Sequence, residues 1–431
     1  MNKTFPGAMR PCITFSTTPR TPAPYKTGLG ILTGLLVFVC SAQAEDWNTW
    51  LGPRRDCSSS EKFEPWKGNP KVEWKIPVGE GHSSPVVANG RVYLHTRVKG
   101  KEAEELAAYD AATGKTAWTT SYPRGPFQSV FGFGPRGTPT VANGKIFTFG
   151  VTGILSCFNE ADGKILWQHD TLTQFNAANL FFGASCSPLL YKDKVIVQVG
   201  GQGASLVAFN TGDGAVAWKS LNDKATYSSP ILCDLMGATS LFALTQQGLV
   251  CLDPETGKQF WKYPLVDRLN ESSTTPILLG ETILASSVTF GSVGIKLDEG
   301  RQYIQSWKNG SLTCYFATPV PVGKDHVYMV TGGLLPPPES HLHCVDIKTG
   351  KILWTKKKVG QYHASLIKGA NNRLLMLEDT GHLTLIEPDG KEYKELSRSK
   401  VCAHTWAHPA AANARIFLRD DKDLLCVNLG Q

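Results

Sequence analysis

Eleven residues, Ala108-Tyr109-Asp110-Ala111-Ala112-Thr113-Gly114-Lys115-Thr116-Ala117-Trp118, recur along this chain with drift. The copies end at Trp118, Trp167, Trp218, Trp261, Trp307 and Trp354, with steps of 49, 51, 43, 46 and 47 residues. A fixed period in this range is the signature of a β-propeller, in which each repeat is one blade that cannot bury its faces alone. Within a copy, a short apolar run such as Leu249-Val250-Cys251-Leu252 leads into a turn. The turn opens on Asp or Asn and closes on Gly, which tolerates positive φ. The opening residues (Asp110, Asn159, Asn210, Asp253, Asp298, Asp346, Glu387 and Asn428) read as turn chemistry in preference to a ring of metal ligands.

A second signal precedes each copy. Ser84-Pro85, Thr138-Pro139, Ser187-Pro188, Ser229-Pro230, Thr275-Pro276 and Thr318-Pro319 each open a β-rich run, and Pro is acceptable at the first residue of a strand. One unit is therefore four strands, one propeller blade. The third-strand segment occurs eight times, and the eighth copy stops before a fourth strand. An orphan strand around Val72–Ile76 carries Trp74, 44 residues before Trp118. The expected fold is an all-β, eight-bladed propeller of four-stranded antiparallel blades, with the N-terminal strand completing the last blade and leaving no open edge. Seven blades is the alternative if the segment around Gly294–Trp307 is irregular. The seventh copy carries Tyr393 near its end where the others carry Trp.

Three segments are expected: a signal peptide at 1–44, an extension at 45–71 that packs on the propeller, and the propeller at 72–431. The first has basic residues (Lys3, Arg10, Arg20, Lys26), an apolar run from Leu29 to Cys40 and small residues at Ala42-Gln43-Ala44. That run is too short for a comfortable membrane span, so the mature chain is expected to be exported without a transmembrane segment. Cys40 follows Phe38-Val39, which argues for cleavage at Ala44 over a lipid anchor. Removing residues 1–44 takes four basic and no acidic side chains, leaving 40 basic against 37 acidic. Near-neutrality gives no case for nucleic acid as partner. Nine cysteines remain, and Cys157, Cys251, Cys344 and Cys426 share one register on non-adjacent blades. Packed sheets lie about 10 Å apart, too far for disulfides, so these are read as small buried residues.

Three positions before each Pro slot stand His82, Arg136, Ser185, Tyr227, Ser273, Phe316, Tyr362 and Trp406. The innermost strand starts at that slot, so these residues are expected to ring one mouth of the channel. His82, Arg136, Tyr227, Phe316, Tyr362 and Trp406 are the ligand-binding candidates, a funnel for a planar or anionic ligand. Channel plugging is the competing reading. Two long inter-blade segments, Thr119 to Gly137 and Gln168 to Cys186, carry Phe127, Phe131, Phe133, Phe175, Phe181 and Phe182. These are the partner-contact candidates, as a lid or a surface patch; packing against Trp47, Trp50 and Trp66 of the extension is the alternative. Cys402, His404, His408 and the pair His341 and His343 have spacings open to metal but lack a full ligand set. No Walker loop, HExxH, GxSxG or paired-carboxylate motif occurs. No metal site or catalytic residue is assigned.

Residues 108–118 match, at every fixed position, the tryptophan-docking motif Ala-x-Asp-x-x-x-Gly-Lys-x-x-Trp of the pyrroloquinoline quinone (PQQ) dehydrogenases. Trp74, Trp118, Trp167, Trp218, Trp261, Trp307 and Trp354 are then the structural docking tryptophans. The chain resembles the PQQ-like β-propeller family, in particular its exported non-enzymatic branch of BamB-type propellers, over about residues 72–430. The tail Asp46–Asp56 resembles the start of exported PQQ-like propellers. The quinoprotein enzymes commonly carry a vicinal Cys-Cys pair, Ca²⁺ held by a carboxylate and an amide, and a catalytic Asp. No adjacent cysteines occur here, and the others have no motif to place them. The resemblance implies a binding or assembly scaffold in the periplasm or cell envelope, with an envelope protein or small ligand as partner and no cofactor. A quinoprotein oxidoreductase holding PQQ and Ca²⁺ at the channel mouth is the alternative.

Overall fold

A computed structural model describes residues 45–333 and 337–430. The expected signal peptide at 1–44, with Cys40, lies outside the described residues. Eight four-stranded antiparallel sheets follow one another along the chain. The first seven run in chain order, each from a short inner strand such as Val86–Ala88 to an outer one such as Thr116–Pro123. The eighth is Ala410–Ala412, Arg415–Arg419 and Asp423–Asn428, completed by Lys71–Pro77 from the other end of the chain. The N-terminal strand pairs antiparallel with the last strand, Trp74 facing Cys426, and closes the ring. The fifth sheet, containing Gly294 and Trp307, is as regular as the others, which leaves eight blades.

Burial explains the pattern of each strand. The third strands are covered on both faces and read as continuous apolar runs, as in Gly248–Leu252. Outer strands alternate, as in Thr116–Pro123. The cores lie between blades: Tyr93, Leu106 and Ala108 of the first pack with Val141, Ile146 and Phe158 of the second.

The eleven-residue block is a joint between blades. Asp110 Oδ1 accepts from the backbone N and the hydroxyl of Thr113, and Gly114 N donates to the Asp110 carbonyl, closing the turn. The Trp of one blade reaches the turn of the next: indole N–H groups of Trp74, Trp118, Trp167, Trp218, Trp307 and Trp354 donate to Ala111, Glu160, Thr211, Pro254, Ile347 and Asp389 carbonyls at 2.8–3.3 Å. The turn glycine lies under the ring. At Gly163 (φ +74°) an added Cβ would stand 2.4 Å from Trp118. Trp261 is the exception. The turn of the fifth blade closes from Asp298 to Gln302, one residue shorter than Asp110 to Lys115. The Trp261 indole N–H therefore finds no acceptor, and the ring packs on Tyr303 with centroids 5.4 Å apart.

Opposite each docking Trp, on the third strand, sits a small residue: Ala108, Cys157, Ala208, Cys251, Gly294, Cys344 and Cys426. That pairing accounts for the register of four cysteines, and all nine described cysteines are buried and unpaired. In the seventh blade the roles invert. Leu385 pairs with Ser397, so Ser397 holds the Trp position, and Tyr393 lies before the strand Lys394–Lys400. Trp66 of the extension supplies the missing indole: its backbone N donates to Ser397 Oγ, its Nε1 donates to Ser399 Oγ, and its ring packs against the core shared by blades seven, eight and one.

The rest of the extension crosses the channel. Trp47 O accepts from Val87 N, Asn48 O from Val141 N, and Trp50 Nε1 donates to Thr275 Oγ1. The buried Arg55 guanidinium donates to Ser187 and Pro188 carbonyls, and Ser59 N to the Lys368 carbonyl. Blades 1, 2, 3, 5 and 7 are thus tied to one segment. Burial holds Arg55 below its ordinary pKa, at about 10, so it remains charged.

Candidate functional site

The Ser/Thr-Pro signal does more than start strands. His408 N donates to Ser84 Oγ, Ser84 N to Thr138 Oγ1, Thr138 N to Ser187 Oγ, and Ser187 N to Ser229 Oγ, at 2.9–3.2 Å. Each hydroxyl satisfies a buried amide of the preceding blade, where an unpaired N–H would be costly. This clasp fixes the inner strands from the eighth blade to the fourth. It also aims the residues three before each Pro at a common axis.

There they line one cup. Its walls are His82, Arg136, Ser185, Tyr227, Ser273, Phe316 and Trp406, seven of the eight positions named from the repeat, with Phe131, Phe182, Glu271 and Tyr315. Trp50 of the extension and Ser84, Ser187 and Ser229 also line it, and the volume is about 160 Å³. Tyr362 does not line the cup but packs on Trp406, centroids 5.2 Å apart. Trp406 is the hub: His82, Phe131, Phe316, His363 and His404 also lie within 5.2–6.0 Å of it. The neighbouring turn is fixed from below by the buried Asp379, whose carboxylate accepts from Gln361 and Tyr362 backbone N.

Polar groups at the mouth are largely committed. Desolvation, with the Arg136 charge adding to it, holds His82 down to about 3, so it is neutral; its Nε2 faces the Phe131 carbonyl at 2.6 Å and carries the proton. Arg136 is lowered by burial to about 10 and stays cationic. Its guanidinium donates to Gly134, Phe131 and Gly132 carbonyls and to Ser129 Oγ, bracing its own loop. Glu271 accepts the Tyr315 hydroxyl, whose pKa burial and that carboxylate raise. One cation and one anion leave the lining close to neutral.

The donor set does not fit PQQ with Ca²⁺. Calcium takes six to eight oxygens, several of them carboxylate. The cup offers a single carboxylate, already holding a tyrosine, and no side-chain amide. A three-ring tricarboxylate would also need cationic partners, and the one guanidinium is spent on its own loop. Among the described residues no group of three or more His, Cys, Asp or Glu is placed to hold a metal. His343 is satisfied by Thr331 and Thr355 hydroxyls at 2.8 Å on either side, and burial lowers it to about 4. His404 faces Asp421, and His408 faces the Pro409 and Leu366 carbonyls.

The Phe-rich segments divide. The outer strands run further than the sequence suggests, to Pro123 and Asp170, and Asp170 caps a short helix, Thr171–Gln174. Phe127 is buried between Arg124 and Arg136, each guanidinium 5.9 Å from its ring, and Phe175 packs on Phe209. Phe127 is buried and Phe175 half-buried, the latter against the core of the blade that follows its loop. Phe133 lies under Arg97. Phe131, Phe181 and Phe182 stay at the mouth in a chain of ring contacts, 5.7 Å and 4.8 Å, that continues to Tyr227 at 5.6 Å. Phe181 is 71% exposed, Val130 78% and Phe131 44%.

Glu271 and Tyr315 are cup residues absent from the sequence reading, and Trp50 is named there only as a packing partner of the Phe-rich loops. Tyr315 and Glu271 stand one and two places from ring positions, and a stricter count along the loops would reach them. Trp50 carries no repeat signal, since it arrives from outside the ring.

The family model described as outer membrane protein assembly factor BamB matches residues 67–134 and 102–356. A BamB of Burkholderia pseudomallei is 25% identical over 414 residues, 92% of this chain and 96% of the relative. A BamB of Shewanella oneidensis is 25% identical over 274 residues, and the matched stretch covers 66% of the relative, just under two thirds. Among solved structures, quinohemoprotein alcohol dehydrogenase from Comamonas testosteroni aligns with a TM-score of 0.65 at 14% identity, covering 89% of this chain and 80% of that one. BamB from Moraxella catarrhalis aligns with a TM-score of 0.57 at 15% identity, covering 84% and 98%. At such identities these likenesses speak for the fold. The model match extends over most of the ring, and the chain belongs to the PQQ-like β-propeller family described as outer membrane protein assembly factor BamB.

Proposed function

We propose that this chain is an exported, non-catalytic scaffold of the cell envelope that binds another protein through the channel mouth and its phenylalanine rim. The observation that carries the reading is the state of the mouth: an aromatic cup whose charged groups are committed internally, bordered by exposed Phe181, Phe131 and Val130. Nothing there is poised as acid, base or nucleophile, whereas an apolar patch around a concave centre is what a contact surface offers. The relatives named for outer membrane protein assembly make an envelope protein the natural partner class. No helix among the described residues is long and apolar enough to cross a membrane.

Crosslinking in envelope extract tests the scaffold. Phe131→Ser with Phe181→Ser should fold as wild type and lose most partner capture. Failure to fold would make these residues core and remove them from the surface. A parallel incubation with PQQ and Ca²⁺, followed by desalting, addresses the quinoprotein alternative. Stoichiometric retention of the quinone with alcohol-dependent dye reduction would overturn the scaffold reading.

A further inference from the structure

We infer that the cup at the channel mouth is a binding site for a single uncharged aromatic ring bearing a hydrogen-bond acceptor, with Trp50 of the N-terminal extension as part of its wall. This deepens the scaffold reading, since such a ring would be the anchor of whatever docks on the rim.

Size comes first. About 160 Å³ is close to the volume of engineered apolar cavities, ~150 Å³, that stay dry and take up benzene. One six-membered ring or an indole fits that space. The walls suit it: Phe131, Phe182, Tyr227, Tyr315, Phe316 and Trp406 offer faces and edges for offset and edge-to-face contacts.

Charge comes second. His82 is neutral, the Arg136 fork is filled by carbonyls of its own loop, and Glu271 is held by Tyr315. An ionic ligand of either sign would lose its hydration and meet one lining charge that attracts it and one that repels it, Arg136 and Glu271, so a neutral ring is favoured.

The polar handle comes third. Ser84, Ser187 and Ser229 use their oxygens to accept amides in the clasp, and Tyr227 uses its oxygen to accept Phe182 N at 3.2 Å. Among the described residues no acceptor is recorded for the protons of these four hydroxyls, all of which line the cup. A ring carrying a phenolic or carbonyl oxygen would receive them.

The extension comes last. Trp50 is held by Thr275 Oγ1 at 2.9 Å and packs against His408 with centroids 5.8 Å apart. It thereby lies across the channel under the mouth. Trp50→Ala should deepen the cup and weaken retention of a small ring.

The ring could arrive free or on a peptide, and two probes separate these sources: p-cresol, and a capped pentapeptide with one central tyrosine between serines and glycines. Both are titrated into the mature protein by calorimetry, with benzoate and benzylammonium as charged controls. Saturable one-to-one binding of either neutral probe is expected, with both charged rings at least about tenfold weaker, a difference of ~1.4 kcal/mol. Tighter binding of the peptide assigns the ring to a protein side chain, and tighter binding of p-cresol to a small molecule. Phe316→Ala and Trp50→Ala, each checked by melting, should weaken binding about tenfold or more. Should Phe316→Ala fail to fold, Tyr227→Phe, which keeps the ring and removes one hydroxyl, leaving only the half-buried Phe182 N to water, should weaken p-cresol but not toluene. The inference is overturned if neither neutral probe saturates, if a charged ring binds as well, or if folded variants bind like wild type. If it fails while the rim still captures an envelope protein, the scaffold reading stands.

Discussion

At the scale of single residues, the motif glycine is constrained twice, by its left-handed backbone and by the indole that covers it. Gly163 and Gly144 both hold positive φ, +74° and +71°, but only Gly163 lies beneath an indole; nothing stands within 4 Å of a Cβ at Gly144. Gly144→Ala should cost about 1–2 kcal/mol for the left-handed backbone alone. Gly163→Ala should add roughly 1–3 kcal/mol of overpacking against Trp118, read as the difference between two urea midpoints. Equal losses would mean that the Trp joint is loose. Titration offers a second check. Burial holds His343, His363 and His408 near 4, well below the unfolded value of about 6.5. A lowered histidine pKa means the unfolded chain binds more protons in that interval. Stability from these three groups is therefore full above about pH 6.5 and lost progressively as pH falls toward 4. His343→Gln should flatten that slope in midpoints measured from pH 4 to 7.

At the scale of elements, the repeat made most of the fold legible. The Asp-to-Gly turn, the Trp four residues beyond the Gly and the Ser/Thr-Pro start all have a fixed offset because each contacts its counterpart one blade away. What the repeat hid is where one blade borrows from elsewhere. Ser397 holds the tryptophan position of the seventh blade, and the indole comes from Trp66, more than three hundred residues earlier. No local signal reports such a loan; Tyr393 was the nearest aromatic in sequence, and it packs on Trp354 instead. The consequence is measurable. Trp66→Ala should cost about 2–3 kcal/mol, less than a fully buried tryptophan. Hydrogen exchange should show the loss in the strand Lys394–Lys400 before any other outer strand. Uniform loss of protection would mean that the seventh blade does not depend on Trp66 in particular.

At the scale of the whole molecule, the sequence located the mouth because inner strands of a propeller converge, so one position per repeat suffices to define a ring. It could not tell that the channel is crossed by residues 46–59, nor that Phe127 and Phe175 turn inward, since both depend on contacts between distant segments. Ring closure by Lys71–Pro77 needs no covalent lock: the nine described cysteines are buried and free, and burial raises thiols such as Cys186 and Cys314 to about 12. The mature protein should melt at the same temperature with and without reductant and label with thiol reagent only on unfolding; a reductant-sensitive midpoint would reveal a disulfide. The scaffold reading itself rests on the mouth being the contact face. A photo-crosslinking amino acid placed at Phe181, on the rim, and at Asn143, in a turn at the opposite end of an inner strand, tests it directly in intact cells. Envelope protein trapped from position 181 and not from 143 is the predicted result, and equal trapping from both positions, or trapping from 143 alone, would contradict it.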